Sequence, residues 1–464
     1  MAEKKVSVYS LFSPTDFRYS VKDLEPYLSE EAYIRYKAKV EAALAEQLAS
    51  KGICSQEVAN EIHRASEEVT AAEVYAEEKR IRHDVRALVN MIRQRVSDSA
   101  KPFVHLTATS YDIVDTANAL RYKDAVMKVI LPDMAKLEIA LISLAEKEKA
   151  TLQIGRTHGQ HAEPITFGFA VAQYVARWGS RILTVKECSE RLVGKFSGAV
   201  GSYNALSLFF EEPEAFESDL LASLGLKPSE ISTQIVPPEP IVDLFHSIVS
   251  AFGVLANFSR DMRNLQRSEI GEVGEPFEDE QVGSSTMPQK RNPMNFENVE
   301  SAWKRVMPQM VTLYLDQVSE HQRDLTNSLS QRYLPELLVI FDSSIRRLTK
   351  VVTNLRVDGK NMCRNFESGK DKAIAEPLYI LLSYYGHPDA HEYVRRLTEK
   401  SYITGIPLHV LALEDPELKC YFDKFTPTQI SILQNPEKYV GIAVSKTERV
   451  ADTWKNRLRT MGFL

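Results

Sequence analysis

Three polar segments of this chain carry residue types that a bare scaffold does not need. The first, Thr107-Ala-Thr-Ser-Tyr-Asp112, offers Thr109, Ser110 and Asp112 as helix N-caps. A helix N-terminus also presents free N–H groups and the positive end of the helix dipole, so simple capping and the seating of a carboxylate or phosphate are compatible readings. The second, Gly155-Arg-Thr-His-Gly-Gln-His-Ala-Glu-Pro164, sets two histidines, an arginine and a glutamate between glycines. His158 and His161 suit acid-base or substrate-binding chemistry; a metal pair and purely structural imidazoles are the alternatives. Gly159 and Pro164 argue against the regular helix face that a pair three residues apart would need to hold a metal. The third, Gly283-Ser-Ser-Thr-Met-Pro-Gln-Lys-Arg-Asn-Pro293, follows an acidic run from Glu269 to Glu280. Its small Ser284 and Ser285 allow close approach to a ligand, and Lys290 with Arg291 supplies positive charge. Catalysis, phosphate binding and a solvated loop all fit that pattern.

Such segments need rigid supports, and the apolar spacing supplies them. Val126, Ile130, Met134, Leu137, Leu141 and Leu144 recur at steps of four and three, as do Ile241, Phe245, Ile248, Phe252 and Leu255. Leu334, Leu338, Phe341, Ile345, Leu348, Val352 and Leu355 repeat the pattern, so three long helices follow from period alone. Phe167 to Val185 and Phe296 to Tyr314 add two more, with Gly168, Gly179 and Pro308 marking close packing or bends. The reading is an all-α fold of three helical domains: an N-terminal domain over 1–110, a central long five-helix bundle over 111–357 and a C-terminal domain over 358–464. Helices of ~20 to 35 residues are rods of ~30 to 50 Å. Rods that long, apolar over a wide face, predict self-association into a larger helical core.

Composition narrows the function classes. With 19 Gly and 21 Pro in 464 residues, collagen-like, low-complexity and loop-dominated all-β chains are excluded. The formal charge, 57 − 63 = −6, leaves no cationic excess to neutralise a nucleic-acid backbone, so no nucleic-acid partner is expected. Cys54, Cys188, Cys363 and Cys420 form no Cys-x-x-Cys pair, which speaks against a structural zinc and for a reducing cytoplasmic setting. The first residues, Met-Ala-Glu-Lys-Lys, predict no secretory leader, and no run of ~18 apolar residues predicts a membrane span.

Gly283 to Pro293 resembles the signature loop of the fumarase/aspartase superfamily. Its Lys290-Arg291-Asn292-Pro293 ending is similar to the adenylosuccinate lyase and carboxymuconate cycloisomerase branches. Gly155 to Pro164 and Thr109-Ser110 resemble the other two signature regions, in the expected order. Further stretches resemble the adenylosuccinate lyase family in particular: Arg18-Tyr19, Arg82-His83-Asp84, the glycine segment Gly194 to Gly201, and Arg323 with Ser328 and Arg332. In that family the last three hold a nucleotide phosphate, a role for which guanidinium groups are well shaped.

The resemblance implies elimination of fumarate from an N-succinyl group, with Ser284 as general base, His158 as general acid and Lys290 stabilising the carbanion. It assigns substrate binding to Arg18, Tyr19, Arg82, His83, Asp84, Thr109, Ser110, Thr157, Gln234, Asn292, Arg323, Ser328 and Arg332. His161 either touches substrate or orients its neighbours. No metal and no organic cofactor is implied; the partners are a small-molecule substrate and three further copies of the chain, in a homotetramer whose sites are shared between subunits. One segment departs. After Gln234, where the family continues with an Arg-Asp-Arg-His type sequence, this chain has Ile-Val-Pro-Pro-Glu-Pro-Ile-Val242. A sister lyase acting on another succinyl compound and a carboxymuconate-type cycloisomerase therefore remain alternatives. A non-catalytic, crystallin-like protein is the reading from another class, and the joint presence of Ser284, His158, Lys290 and Asn292 argues against it.

Overall fold

The structure, a computed structural model, describes residues 11–277 and 284–464. The N-terminal five residues read above for a leader, Gly283 and the Glu278 to Glu280 end of the acidic run lie outside the described residues. Helix dominates. The N-terminal region holds α1 (Glu30–Ser50), α2 (Gln56–Glu68), α3 (Ala71–Ile81) and α4 (Asp84–Arg93). The long elements then begin with α5, in which Ser110–Ala125, a π-turn at Val126–Ile130 and Leu131–Lys147 run on without a break. They continue with α6 (Phe167–Glu190), α7 (Glu239–Leu265), α8 (Met294–Val306), α9 (Gln309–Leu315) and α10 (Leu334–Thr353). Pro308, which lacks an N–H and cannot continue a helix, separates α8 from α9, as its position in the sequence predicts.

The helical periodicity thus marks the right places, but one element runs against it. Between α5 and α6 the chain forms an antiparallel hairpin, β1 (Leu152–Thr157) and β2 (Gln160–Thr166), where only a polar loop is expected from sequence. Its two-residue turn, His158-Gly159, has φ of 54° and 76°, the doubly left-handed backbone that matches the twist of paired strands.

The chain clusters into two compact units. One comprises residues up to Ala135 with Ser180–Leu255 and Ser301–Arg346; the other comprises Lys136–Gly179, Ala256–Glu300 and Arg347–Leu464. In the first, Tyr122 packs edge-on to Phe245 at 5.5 Å and Phe252 lies 5.4 Å from Phe341. These contacts tie α5, α7 and α10, and Phe245, Phe252 and Phe341 are among the apolar residues that the spacing singles out. In the second, Tyr174 meets Phe258 at 5.1 Å, and Gly179 packs against the indole of Trp454, where a Cβ would come within 2.3 Å of the ring. Glu239–Leu265 is long and apolar enough to cross a bilayer by composition, more so than the sequence reading allowed, but 67% of its most apolar window is buried inside the protein.

Candidate active site

In the first unit a cavity of about 450 Å³ gathers residues far apart in sequence. Arg82, His83 and Asp84 line it from the α3–α4 junction, Ser110 from the start of α5, Gln234 from just before the departing segment, and Ser328 and Arg332 from the turn before α10. Seven of the thirteen expected substrate-binding residues therefore share one wall. Local backbone explains the first group: Arg82 ends α3 in the left-handed conformation (φ 61°, ψ 33°), so the chain reverses and His83 becomes the N-cap of α4. A non-glycine residue there is strained by about 1 kcal/mol, which the surrounding contacts must offset. The His83 Nδ1 accepts the Arg86 N–H at 3.2 Å, so a neutral ring carries its proton on Nε2.

Ser110 is held by a buried network. The Thr109 N–H donates to Asp112 Oδ2 at 2.8 Å, while Asp112 Oδ1 accepts the N–H groups of Ser197 (3.1 Å) and Gly198 (3.2 Å) and is paired with the Lys195 ammonium. The Asp112 and Lys195 side chains are both fully buried, so this single carboxylate fastens the α5 N-terminus to the Gly194 to Gly201 segment. Asp112→Ala would strand the Lys195 charge in the interior and is expected to cost about 3 to 5 kcal/mol of stability. Urea unfolding measures it; a loss under about 1 kcal/mol would contradict the role given to the pair.

Other expected residues stand apart from this cavity. Arg323 is not among its lining residues: it stacks over the ring of Tyr111, which is, at 4.0 Å and donates to Asn327 Oδ1 at 2.9 Å. Arg18 is exposed near the start of the described chain, with Tyr19 beside it. Two buried cations were invisible to the sequence reading. Arg121 lines the cavity, and Lys37, 1% exposed, lies 4.1 Å over the Tyr33 ring, where burial lowers its pKa. Both sit within helices beside other charged residues, Lys37 between Arg35 and Lys39 and Arg121 just before Lys123 and Asp124, so they read as part of a solvated face.

The second unit carries the chemical groups. At the hairpin, Arg156 is committed to structure: its guanidinium forks onto the fully buried Glu272, which also accepts from Gln153 at 2.7 Å and Asn365 at 2.8 Å. With its base so pinned, the hairpin projects Thr157 and His158 into solvent at its tip. His161 packs against Gly369, where any Cβ would fall 2.7 Å from Nδ1. Burial, and then the nearby Arg156 charge, lower its pKa and so favour the neutral ring.

At the signature loop the Ser284 Oγ accepts two backbone N–H groups, from Thr286 at 3.3 Å and Met287 at 3.0 Å. Donors in that position favour an ionised oxygen over a neutral hydroxyl, which is the support a serine base requires. Lys290 and Asn292 line a cavity of about 590 Å³ with Arg260, Arg263 and Arg267. Glu300 takes Arg260 and Arg263, and among the described residues Lys290 and Arg267 meet no carboxylate. Arg260 and Arg263 on the last turns of α7, and Arg267 just beyond its end, were missed because they read as an ordinary solvated helix face.

Comparison with known proteins gives the family. Residues 11–308 match the lyase family, and residues 319–415 match the adenylosuccinate lyase C-terminal family. The adenylosuccinate lyase of Pyrococcus horikoshii is 36% identical over 95% of this chain and 97% of its own. The N-acetyl-S-(2-succino)cysteine lyase of Enterococcus italicus is 30% identical over 96% of each. A 3-carboxy-cis,cis-muconate lactonizing enzyme from Pseudomonas putida superposes with a TM-score of 0.83 over 95% of this chain and 99% of that one, at 25% identity. The chain belongs to the lyase family, in its adenylosuccinate lyase branch.

Proposed function

We infer that this enzyme eliminates fumarate from adenylosuccinate to give AMP, and from the corresponding succinylated carboxamide ribotide, as a step of purine nucleotide synthesis. The observation that carries the reading is the convergence of Arg82, His83, Ser110, Gln234, Ser328 and Arg332 on one cavity. A helix N-terminus suits the carboxylates of a succinyl group, and the guanidinium groups suit a phosphate dianion.

The chemistry divides between two groups. The Ser284 alkoxide, stabilised by its two N–H donors, removes the proton beside one carboxylate. The resulting carbanion, delocalised as a doubly charged aci-carboxylate, is held by Lys290, Asn292 and the Thr109-Ser110 donors. The C–N bond then breaks, and His158 protonates the departing nitrogen. Thr157 beside it, with Arg18, Tyr19 and Arg323, completes the substrate contacts of this scheme. No step calls on a metal or organic cofactor.

Four chains assemble the enzyme in this reading, with sites shared between subunits, because loops at opposite ends of long helices otherwise stay ~40 Å apart. Light scattering should give close to four times 52.5 kDa, and a monomer retaining full activity would overturn sharing. We also assign the enzyme to the cytoplasm, where its four free thiols stay reduced; recovery in a secreted or membrane fraction would contradict this.

Adenylosuccinate mixed with the protein should lose its ultraviolet absorbance while AMP and fumarate appear in equal amounts. Activity on a non-purine substrate alone would reject the reading. The segment Ile235 to Val242, without the family's basic residues, favours as second reading a lyase acting on another succinyl compound, or a cycloisomerase. Arg332→Ala is expected to raise KM about 30-fold or more while kcat changes little, because a phosphate contact remote from the reacting carbons serves ground and transition states alike, at ~2 to 4 kcal/mol when desolvated. An unchanged KM would return Arg332 to the surface.

A further inference from the structure

We propose that Arg121, on the buried side of the 450 Å³ cavity, is a specificity-determining residue that binds the phosphate dianion of the substrate, together with Arg332. The proposal rests on the nucleotide reading given above and adds to it a residue that the signature segments do not contain.

The first turns of α5 form a wall of the cavity: Ser110, Tyr111, Val114, Asn118 and Arg121 all line it. At 1.5 Å per residue, Ser110 and Arg121 are roughly 16 Å apart along the helix axis, a span suited to an elongated ligand charged at both ends. The Ser110 end offers helix N–H groups to carboxylates. The far end needs a cation, and Arg121 is there.

Its surroundings are those of a cation lacking its anion. Arg121 is only 5% exposed, yet its described partners are all neutral: Nε donates to Asn118 Oδ1 at 2.9 Å and Nη2 to the Tyr122 hydroxyl at 3.1 Å. The guanidinium lies over the rings of Tyr33 (4.5 Å) and Tyr122 (4.8 Å). No carboxylate of the described residues comes within ion-pair distance. A buried guanidinium without a counter-ion is far more costly than an exposed one, and the cost falls when an anion enters beside it.

The carboxylates on the same cavity are engaged or set apart. Asp84 faces the buried Lys37 at 3.7 Å, Glu30 takes the Tyr75 hydroxyl, and Glu78 lies at the end of α3. The two ring contacts and the bonds of Nε and Nη2 hold the guanidinium, and Nη1, with no partner among the described residues, is left to donate to phosphate oxygens. A structural role for Arg121, holding Tyr33 in place, predicts a different result: loss of activity irrespective of the phosphate.

The test compares wild type, Arg121→Gln and Arg121→Lys on adenylosuccinate and on its dephosphorylated nucleoside, with inorganic phosphate binding measured by calorimetry on the same proteins. Arg121→Gln should lose at least tenfold more kcat/KM on the nucleotide than on the nucleoside and should weaken phosphate binding at least tenfold. Arg121→Lys, which keeps the charge, should recover part of both. Equal losses on the two substrates with unchanged phosphate affinity would overturn the proposal in favour of the structural role. If wild type cleaves neither compound while phosphate binding still depends on Arg121, the nucleotide reading fails and the anion site stands. If Arg121→Gln is too unstable to assay, Arg121→Met, which removes the charge and keeps an apolar stem, takes its place: phosphate affinity equal to wild type, with no loss specific to the nucleotide, overturns the proposal.

Discussion

Ser284→Ala is expected to lower kcat by roughly three orders of magnitude or more, with substrate affinity nearly unchanged. In the proposed scheme its ionised oxygen accepts the proton in the transition state and contributes little to the ground state. Its two backbone donors, from Thr286 and Met287, stay in place in the variant but have no oxygen to stabilise. Single-turnover kinetics with a binding measurement separate the two effects. A loss below about tenfold would reject Ser284 as base, and a parallel loss of affinity would make it a binding residue instead.

His158→Gln is expected to lower kcat by roughly 10²- to 10⁴-fold, the range for removal of a general acid. The tip of the β1–β2 hairpin tolerates the change: Gln carries no β-branch, and Gly159 keeps the second left-handed position of the turn. The informative part is the dependence on leaving group. A substrate whose departing nitrogen is the poorer leaving group should suffer more, because it needs protonation more as the C–N bond breaks. Equal losses across leaving groups would remove His158 from the acid role.

The sequence shows the supports more clearly than the site. The steps of four and three through Val126, Ile130 and Met134, and through Phe245, Ile248 and Phe252, report burial on one helix face, and α5, α7 and α10 form where they fall. The hairpin escapes such reasoning. A helix or strand period requires several repeats, and Gly155 to Pro164 is too short and too polar to show one; its turn depends on His158 adopting a left-handed backbone that its type does not announce. Ser284, Lys290, His158 and Ser110 are legible because their segments resemble known signatures, whereas the N–H pair on Ser284 needs the folded loop to appear. Asp112 could be read only as a cap, since its link to Lys195, more than eighty positions away, is a product of tertiary packing. Arg121 and Lys37 are hidden for a related reason: each stands beside other charged residues and looks like one more surface charge until packing is seen to cover it.

The departing segment after Gln234 makes substrate choice the sharpest test of the account. The second-order rate constant for fumarate release should be measured side by side with adenylosuccinate and with N-acetyl-S-(2-succino)cysteine, under identical conditions and with fumarate as the common readout. The cavity bearing Arg82, Arg121 and Arg332 predicts that adenylosuccinate is preferred by at least about a hundredfold, since the buried Arg121 left without its anion penalises the ligand that lacks one. Equal rate constants, or a preference for the succinylated cysteine, would contradict it.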